Sequence, residues 1–325
     1  MIMDEMVYWL ALQDKRHILP QKVLEYLLRK YDSLEIIWNL KYEDFLKNKI
    51  PKKNINSFLK YRSIVNLNLY YEELLKIKNK NVNIIKYNDK DYPKKLKNSA
   101  IEIYNPPLIL FVKGTIPNLD KCAAIVGTRK ASFYGRQMAR LISESLAKKG
   151  YVITSGLARG IDLEAHYGAL SYPEAKTISI LAWLDPIYPP EHEAIAKDII
   201  KRGAIISEKY YNKNSLISKY TSTNLKYTFI ERNRIISGLA DFLVAVESGV
   251  EGGTQRQVDL AIEQNKRVFV VKPESNDSKD IIGGYNLMIK KGAIPIDAIN
   301  AIPLKNKNYF EKEQKIKLDA FINQK

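Results

Sequence analysis

Residues 123–170 read AAIVGTRKASFYGRQMARLISESLAKKGYVITSGLARGIDLEAHYGAL. The stretch opens with an apolar run, Ala123-Ala124-Ile125-Val126, which breaks at Gly127-Thr128-Arg129. A helical segment over 134–149 follows, with Met138, Leu141, Ile142, Ser145 and Leu146 on one face. The order then repeats. Val152-Ile153-Thr154 is a second run, Ser155-Gly156-Leu157-Ala158-Arg159-Gly160 a second glycine turn, and 161–170 a second helical segment. The runs are short, β-branched and without alternation, as strands covered on both faces are. Strand–helix alternation of this kind predicts right-handed βαβ units and a parallel, doubly wound sheet.

Outward from this stretch the pattern continues. Further strands are predicted at 81–87, 108–113, 177–181, 204–207, 242–246 and 267–271, and further helices at 191–202, 231–240 and 254–265. Residues 1–78 have helical texture instead. Val7, Leu10 and Ala11, then Val23, Leu24, Leu27 and Leu28, recur at helical spacing, Pro20 and Pro51 mark helix starts, and 55–77 is basic and amphipathic. The expected architecture is α/β: an extended Rossmann-like, doubly wound, mostly parallel sheet with a small all-helical N-terminal domain. The expected boundaries are 1–78 for the helical domain, 79–303 for the core and 304–325 for a basic tail. A helix-hairpin-helix reading of the first domain fails for want of glycine in His17-Ile18-Leu19-Pro20-Gln21-Lys22, so a packing or partner role is expected there.

The chain has 325 residues, 46% of them hydrophobic and 27% charged, enough for about two globular domains. One cysteine, Cys122, allows neither an intrachain disulfide nor a cysteine zinc cluster and fits a reducing compartment. No apolar run reaches the ~18–20 residues of a membrane span, and the N-terminus MIMDEM is acidic where a signal peptide is basic. A cytoplasmic protein without membrane contact is expected. The net charge of +16 favours a polyanionic partner, nucleic acid or an anionic surface, or reflects solubility alone.

In an open α/β sheet the ligand lies beyond the carboxyl ends of the strands. Three such turns carry glycine, hydroxyl or basic residues: 127–135, 155–162 and Glu247-Ser248-Gly249-Val250-Glu251-Gly252-Gly253-Thr254. Glycine admits an anion to the backbone, free N–H groups at a helix start hold it, and Arg129 and Arg159 add forked donors. Any one turn could be a tight turn only; three on one sheet edge point to a polyanion. There is no G-x-G-x-x-G after the first strand and no G-x-x-x-x-G-K-[ST], so neither a dinucleotide nor an ATP P-loop is expected.

These residues carry a resemblance. IVGTRKASFYG and ITSGLARGIDLEAHYGAL, with Leu184-Asp185-Pro186-Ile187-Tyr188-Pro189-Pro190, Gly203-Ala204-Ile205-Ile206-Ser207-Glu208 and Phe229-Ile230-Glu231-Arg232-Asn233-Arg234-Ile235-Ile236, closely resemble the DprA (Smf) family over roughly 85–275. The resemblance implies a core that binds single-stranded DNA as a homodimer, protects incoming strands in transformation and helps load a strand-exchange recombinase. It carries the DNA- and phosphate-binding role to Gly127, Thr128, Arg129 and Ser132, with Lys130 beside them. It carries the same role to Gly156, Arg159 and Gly160, to Asn233 and Arg234, and to Gly253 and Thr254. Of Arg232 and Arg234, two apart on a helix, one is expected to be a structural ion-pair partner. Ile230 stands where the family has proline, and Pro190-Glu191-His192 stands where it has an asparagine and often a basic residue, which weakens contact from that turn. No C-terminal winged helix is expected.

Gly252-Gly253-Thr254 also resembles the LOG-type phosphoribohydrolases of the same fold. They need a carboxylate shortly after the threonine, where Arg256 and Gln257 stand. A binding protein rather than an enzyme is therefore expected, without cofactor or metal. The alternative is a nucleotide sensor or hydrolase in the same pocket. Asp162 and His166, four apart, are expected to be a structural pair, and Cys122 a small core residue. Tyr210, Tyr211 and Tyr220, with Lys213 and Lys219, are expected to extend a DNA track by base stacking.

Overall fold

The computed structural model describes residues 4–14, 18–97, 106–210 and 225–297. Nine strands form one sheet in the order β1-β2-β6-β5-β4-β3-β7-β8-β9. These are β1 Asn83–Lys86, β2 Ile109–Gly114, β3 Cys122–Val126, β4 Val152–Ser155, β5 Thr177–Ile180, β6 Ala204–Ser207, β7 Phe242–Ala245, β8 Arg267–Val271 and β9 Ile294–Ile296. The seven strands from β6 to β9 run parallel, and β1 and β2 add an antiparallel edge. The fold is Rossmann-like, as its strand pattern predicts.

The absence of alternation in β3 has a direct cause, because all five of its residues are buried. Ala123 and Ile125 pack with Ala139, Ile142 and Leu146 of α8 (Phe133–Lys148) and Ala165 and Ala169 of α9 (Ile161–Leu170). Cys122, Ala124 and Val126 face the other way, onto Ile235, Ile236 and Leu239 of α11 (Leu225–Leu239). Burial pushes the Cys122 thiol up to about 12, as befits a core residue.

Six helices cover the N-terminal part where three segments are predicted: α1 Met6–Asp14, α2 Gln21–Tyr31, α3 Leu34–Asn39, α4 Tyr42–Lys47, α5 Lys52–Ile64 and α6 Leu67–Lys78. Their core is continuous with the sheet edge. Trp9, Leu27, Ile37 and Phe58 belong to one apolar cluster with Ile109 and Phe111 of β2, Ile205 of β6 and Ile195 and Ile199 of α10 (Glu193–Arg202). The sheet edge thus serves as the wall on which the helical layer closes. A short helix, α7 (Lys94–Lys97), lies between β1 and β2.

The chain leaves β3 outward through β4, β5 and β6, then returns to the other side of β3 for β7, β8 and β9. Helix α8, after β3, covers one face. Helix α12 (Gly253–Glu263), after β7, covers the other through Val258 and Ala261. The loops after β3 and β7 therefore part to opposite faces and leave a crevice between them, where open α/β sheets hold ligands. Helix α13 (Lys279–Lys290) and β9 lie outside the predicted elements. Gly283-Gly284 interrupts the helical pattern of the first, and β9, with Pro295 at its centre, is tolerated because it is the sheet edge. Among the described residues no helix is long and apolar enough to cross a membrane.

Candidate nucleic-acid interface

The loops after β3, β4 and β7 meet around a cavity of about 680 Å³, lined among others by Thr128, Arg129, Asp162, Phe229, Arg232 and Arg256. All three predicted turns are therefore at one place, but they do different work.

The first two turns are locked against each other. The Ile161 N–H, at the start of α9, donates to the Thr128 carbonyl at 3.2 Å. A Cβ on Gly160, whose φ is 75°, would lie 2.3 Å from that carbonyl oxygen. A Cβ on Gly127 would meet the Ile161 side chain at 2.4 Å, and one on Gly156 the Arg232 guanidinium at 2.2 Å. These three glycines let loop, helix and arginine close on one another. The Thr128 N–H donates to the Glu247 carbonyl and its hydroxyl accepts from the Lys130 N–H, so its backbone is spoken for as well.

Ser132 needs a correction. Its hydroxyl caps α8, accepting from the Gly135 N–H at 2.9 Å. The same hydroxyl donates to the Glu247 carboxylate at 2.7 Å, and the Ser132 N–H donates to both Glu247 oxygens at 3.1 and 3.2 Å. Glu247 is buried. The anion on the α8 terminus is therefore the chain's own carboxylate, and Ser132 is a cap rather than a phosphate ligand.

The third turn is the open one. Gly252, at φ 131°, caps α12, and nothing lies within 4 Å of a Cβ built on Gly252 or Gly253. Thr254 follows on the first turn, and Arg256 lines the same cavity. Free N–H groups, a helix dipole and two accessible guanidinium groups, Arg129 and Arg256, give this turn the chemistry that suits an anion. Neither arginine makes an ion pair among the described residues. Arg129 lies over the Phe229 ring, 5.2 Å from its centroid. Lys130 is exposed beside it.

The Arg-Asn-Arg segment is structural at both arginines. Arg232 is buried under the second turn and donates to the Gly156 carbonyl at 2.9 Å and to the Ile180 carbonyl. Burial pushes it down to about 10, against the pull of Asp162. Arg234 is buried too and binds Glu208 at 2.7 Å, so its predicted DNA contact is corrected to an internal ion pair. Asn233 lines the cavity, and its carbonyl accepts from Gln257 at 2.9 Å. Arg159 is exposed but held by Glu191 at 2.5 Å.

Asp162 faces the cavity and does not pair with His166. Its burial raises its pKa, an effect opposed by Arg232, the Ala158 N–H, Ser155 and Arg129. His166 turns away to Thr177 at 2.8 Å. Because the Thr177 hydroxyl donates to the Ile153 carbonyl, the proton on that histidine bond sits on Nδ1. Three guanidinium groups thus line the cavity with two carboxyls, Asp162 and Glu251.

The aromatic groups are not those predicted. Tyr210 is buried against Phe111, with ring centroids 5.8 Å apart, which removes it from any stacking track. Tyr211, Lys213, Lys219 and Tyr220 lie outside the described residues, as does the tail over 304–325. Instead Trp183 and Tyr188 cluster with the cavity-lining Phe229, with centroids 5.3 to 5.8 Å apart. Phe229 opens the Phe229-to-Arg234 segment, but its contact with Arg129 was not legible there, and the bonding of Glu247 to Ser132 and the place of Arg256 have no motif signature. The signal that was present is an acid ending the β7 run, opposite a serine that starts a helix.

A family model described as DNA recombination-mediator protein A matches residues 83–305. The chain is 33% identical over 237 residues to the DNA processing protein DprA of Bacillus subtilis, covering 71% of this chain and 74% of that protein. It is 30% identical over 331 residues to the protein Smf of Synechocystis, covering 96% and 76%. Its fold matches the X-ray structure of DNA processing protein A from Streptococcus pneumoniae with a TM-score of 0.69 at 26% identity, over 92% of this chain and 96% of that one. It matches DNA processing protein A from Helicobacter pylori, whose structure is described for its single-stranded DNA binding mode, with a TM-score of 0.55 at 29% identity, over 72% and 96%.

Proposed function

The chain belongs to the DNA recombination-mediator protein A family (DprA/Smf), and from that premise we propose that it binds single-stranded DNA at the crevice between the β3, β4 and β7 loops. The observation that carries the reading is the open start of α12 flanked by Arg129 and Arg256. A phosphate there meets backbone N–H groups and two guanidinium forks without displacing any protein group. Phe229, under Arg129, offers a base an aromatic neighbour, and stacking tolerates any sequence. The role is binding, not turnover: beside the glycines stand Arg256 and Gln257, and the Gln257 amide is fixed to the Asn233 carbonyl. The family's work of protecting strands and passing them to a strand-exchange recombinase, as a homodimer in DNA uptake, is part of the proposal.

A second reading rests on the cavity's size. About 680 Å³ is room for one nucleotide, so the same site suits a nucleotide sensor. Fluorescence anisotropy with a labelled single-stranded oligonucleotide, titrated against salt with duplex and nucleoside monophosphates as competitors, separates the two. The DNA reading expects a preference for single strands, a log–log salt slope near −0.7 per phosphate neutralised, and loss of binding in Arg129→Ala. Weak oligonucleotide binding displaced by one mononucleotide favours the sensor, and a slope near zero sinks the DNA reading.

A further inference from the structure

Of the exposed arginines at the crevice, only Arg159 is in an ion pair among the described residues. Its neighbour Ala158 lines the cavity, whereas Arg159 lies outside the lining, and its Nε donates to Glu191 Oε1 at 2.5 Å. Both side chains are about half exposed, at 57% and 47%. Glu191 sits on a 3₁₀ turn, Pro190–His192, and that turn is fastened to the same loop as Arg159: His192 is buried and bonds the Leu157 carbonyl through Nδ1 at 2.9 Å. The carboxylate is therefore held beside Arg159 by packing of its own turn, not by the ion pair alone. Among the described residues Arg129 and Arg256 have no such acid on them.

We propose that Glu191 is an internal competitor for phosphate at Arg159, and that it makes the site weigh the length of its ligand. This rests on the reading of the crevice as a single-stranded DNA site. A single phosphate occupies the α12 terminus between Arg129 and Arg256 and leaves the Arg159–Glu191 pair untouched. A strand brings a further phosphate to Arg159 beyond the cavity, and gains it only by exchanging it for Glu191. Exposed ion pairs are weak, so the exchange is feasible and its cost modest. The carboxylate then lowers strand affinity without altering mononucleotide affinity.

The test compares the wild-type chain with Glu191→Gln, Arg159→Ala and the double variant. It reads anisotropy of a labelled oligothymidylate and its displacement by thymidine 5′-monophosphate. Glu191→Gln is expected to tighten the oligonucleotide about threefold to fivefold and steepen its salt slope by about 0.7. It is expected to leave the monophosphate unchanged, and the double variant to lose the gain. The inference is overturned if Glu191→Gln binds the oligonucleotide as wild type does, or tightens both ligands equally. Arg129→Ala separates this from the parent reading. If that variant keeps full oligonucleotide binding, or wild type binds none, the crevice itself is misassigned and the inference falls with it. Because the pair is exposed, thermal melting of Glu191→Gln should match wild type.

Discussion

Glu247 lies across the start of α8 with its carboxylate on the N–H and hydroxyl of Ser132. A Cβ on Gly135 would come within 2.0 Å of the same carboxylate, so the first turn of the helix is shaped around it. A buried acid at a helix start is favoured by the dipole and the unpaired N–H groups. Ser132→Ala is accordingly expected to lower stability by about 1–2 kcal/mol, and Glu247→Gln by about 1–3 kcal/mol, both read by urea denaturation. Oligonucleotide affinity of Ser132→Ala should stay at the wild-type value. Loss of binding with normal melting would restore α8 as a phosphate site.

The glycines divide into two groups with opposite expected behaviour. Gly156→Ala and Gly160→Ala force a Cβ onto Arg232 or the Thr128 carbonyl, so both should be strongly destabilised. Gly253 faces open space, and Gly253→Asp should fold and melt normally. Its carboxylate, placed at the α12 terminus, should cost about tenfold or more in oligonucleotide affinity, equivalent to about 1.4 kcal/mol. Normal binding by folded Gly253→Asp would remove the α12 terminus from the site.

The sheet was legible because burial on both faces leaves a plain mark: β3, β4, β5, β6, β7 and β8 are short runs of mostly apolar or β-branched residues without alternation. The same logic misses β9, which has three residues and a proline, and α13, whose Gly283 lets Val250 pack close and whose Gly284 sits against the Ser248 carbonyl. In the N-terminal part, helical periodicity was visible, but the break into six helices also uses short local caps at Ser33 and Asn66 that the apolar spacing does not mark. The location of the site followed from topology. The duties within it did not, because glycine and arginine serve protein contacts and ligand contacts by the same chemistry. Gly156 and Arg232 look like ligand residues in a motif; only their mutual distance shows that they satisfy each other.

Arg234 gives a sharp case of that ambiguity. Both it and Glu208 are buried, and the pair sits away from the cavity lining. Arg234→Ala removes the guanidinium from the buried Glu208 carboxylate, a loss of about 3–5 kcal/mol. The expected result is a large drop in denaturation midpoint, with the folded fraction still binding oligonucleotide at wild-type affinity. A stable Arg234→Ala protein with abolished binding would return the residue to the DNA interface.

His166 sets a dependence on acid. It is fully buried, and burial, with His192 and Arg232 nearby, pushes its pKa down to about 3 from the ordinary 6.5. Between those values the unfolded chain holds a proton that the folded chain does not. Stability therefore rises with pH across that window, is present in full above about 6.5, and is lost as the pH falls toward 3, by at most about 1.4 kcal/mol per pH unit. The groups that face the ring are Thr177, His192 and Arg232. His166→Asn keeps a donor for Thr177 and removes the titration. Urea midpoints at pH 7 and pH 5 should then fall further for wild type than for the variant. Exposed carboxylates lower both proteins alike and cancel in the comparison. Parallel loss in the two would show that the histidine is not the acid-sensitive group.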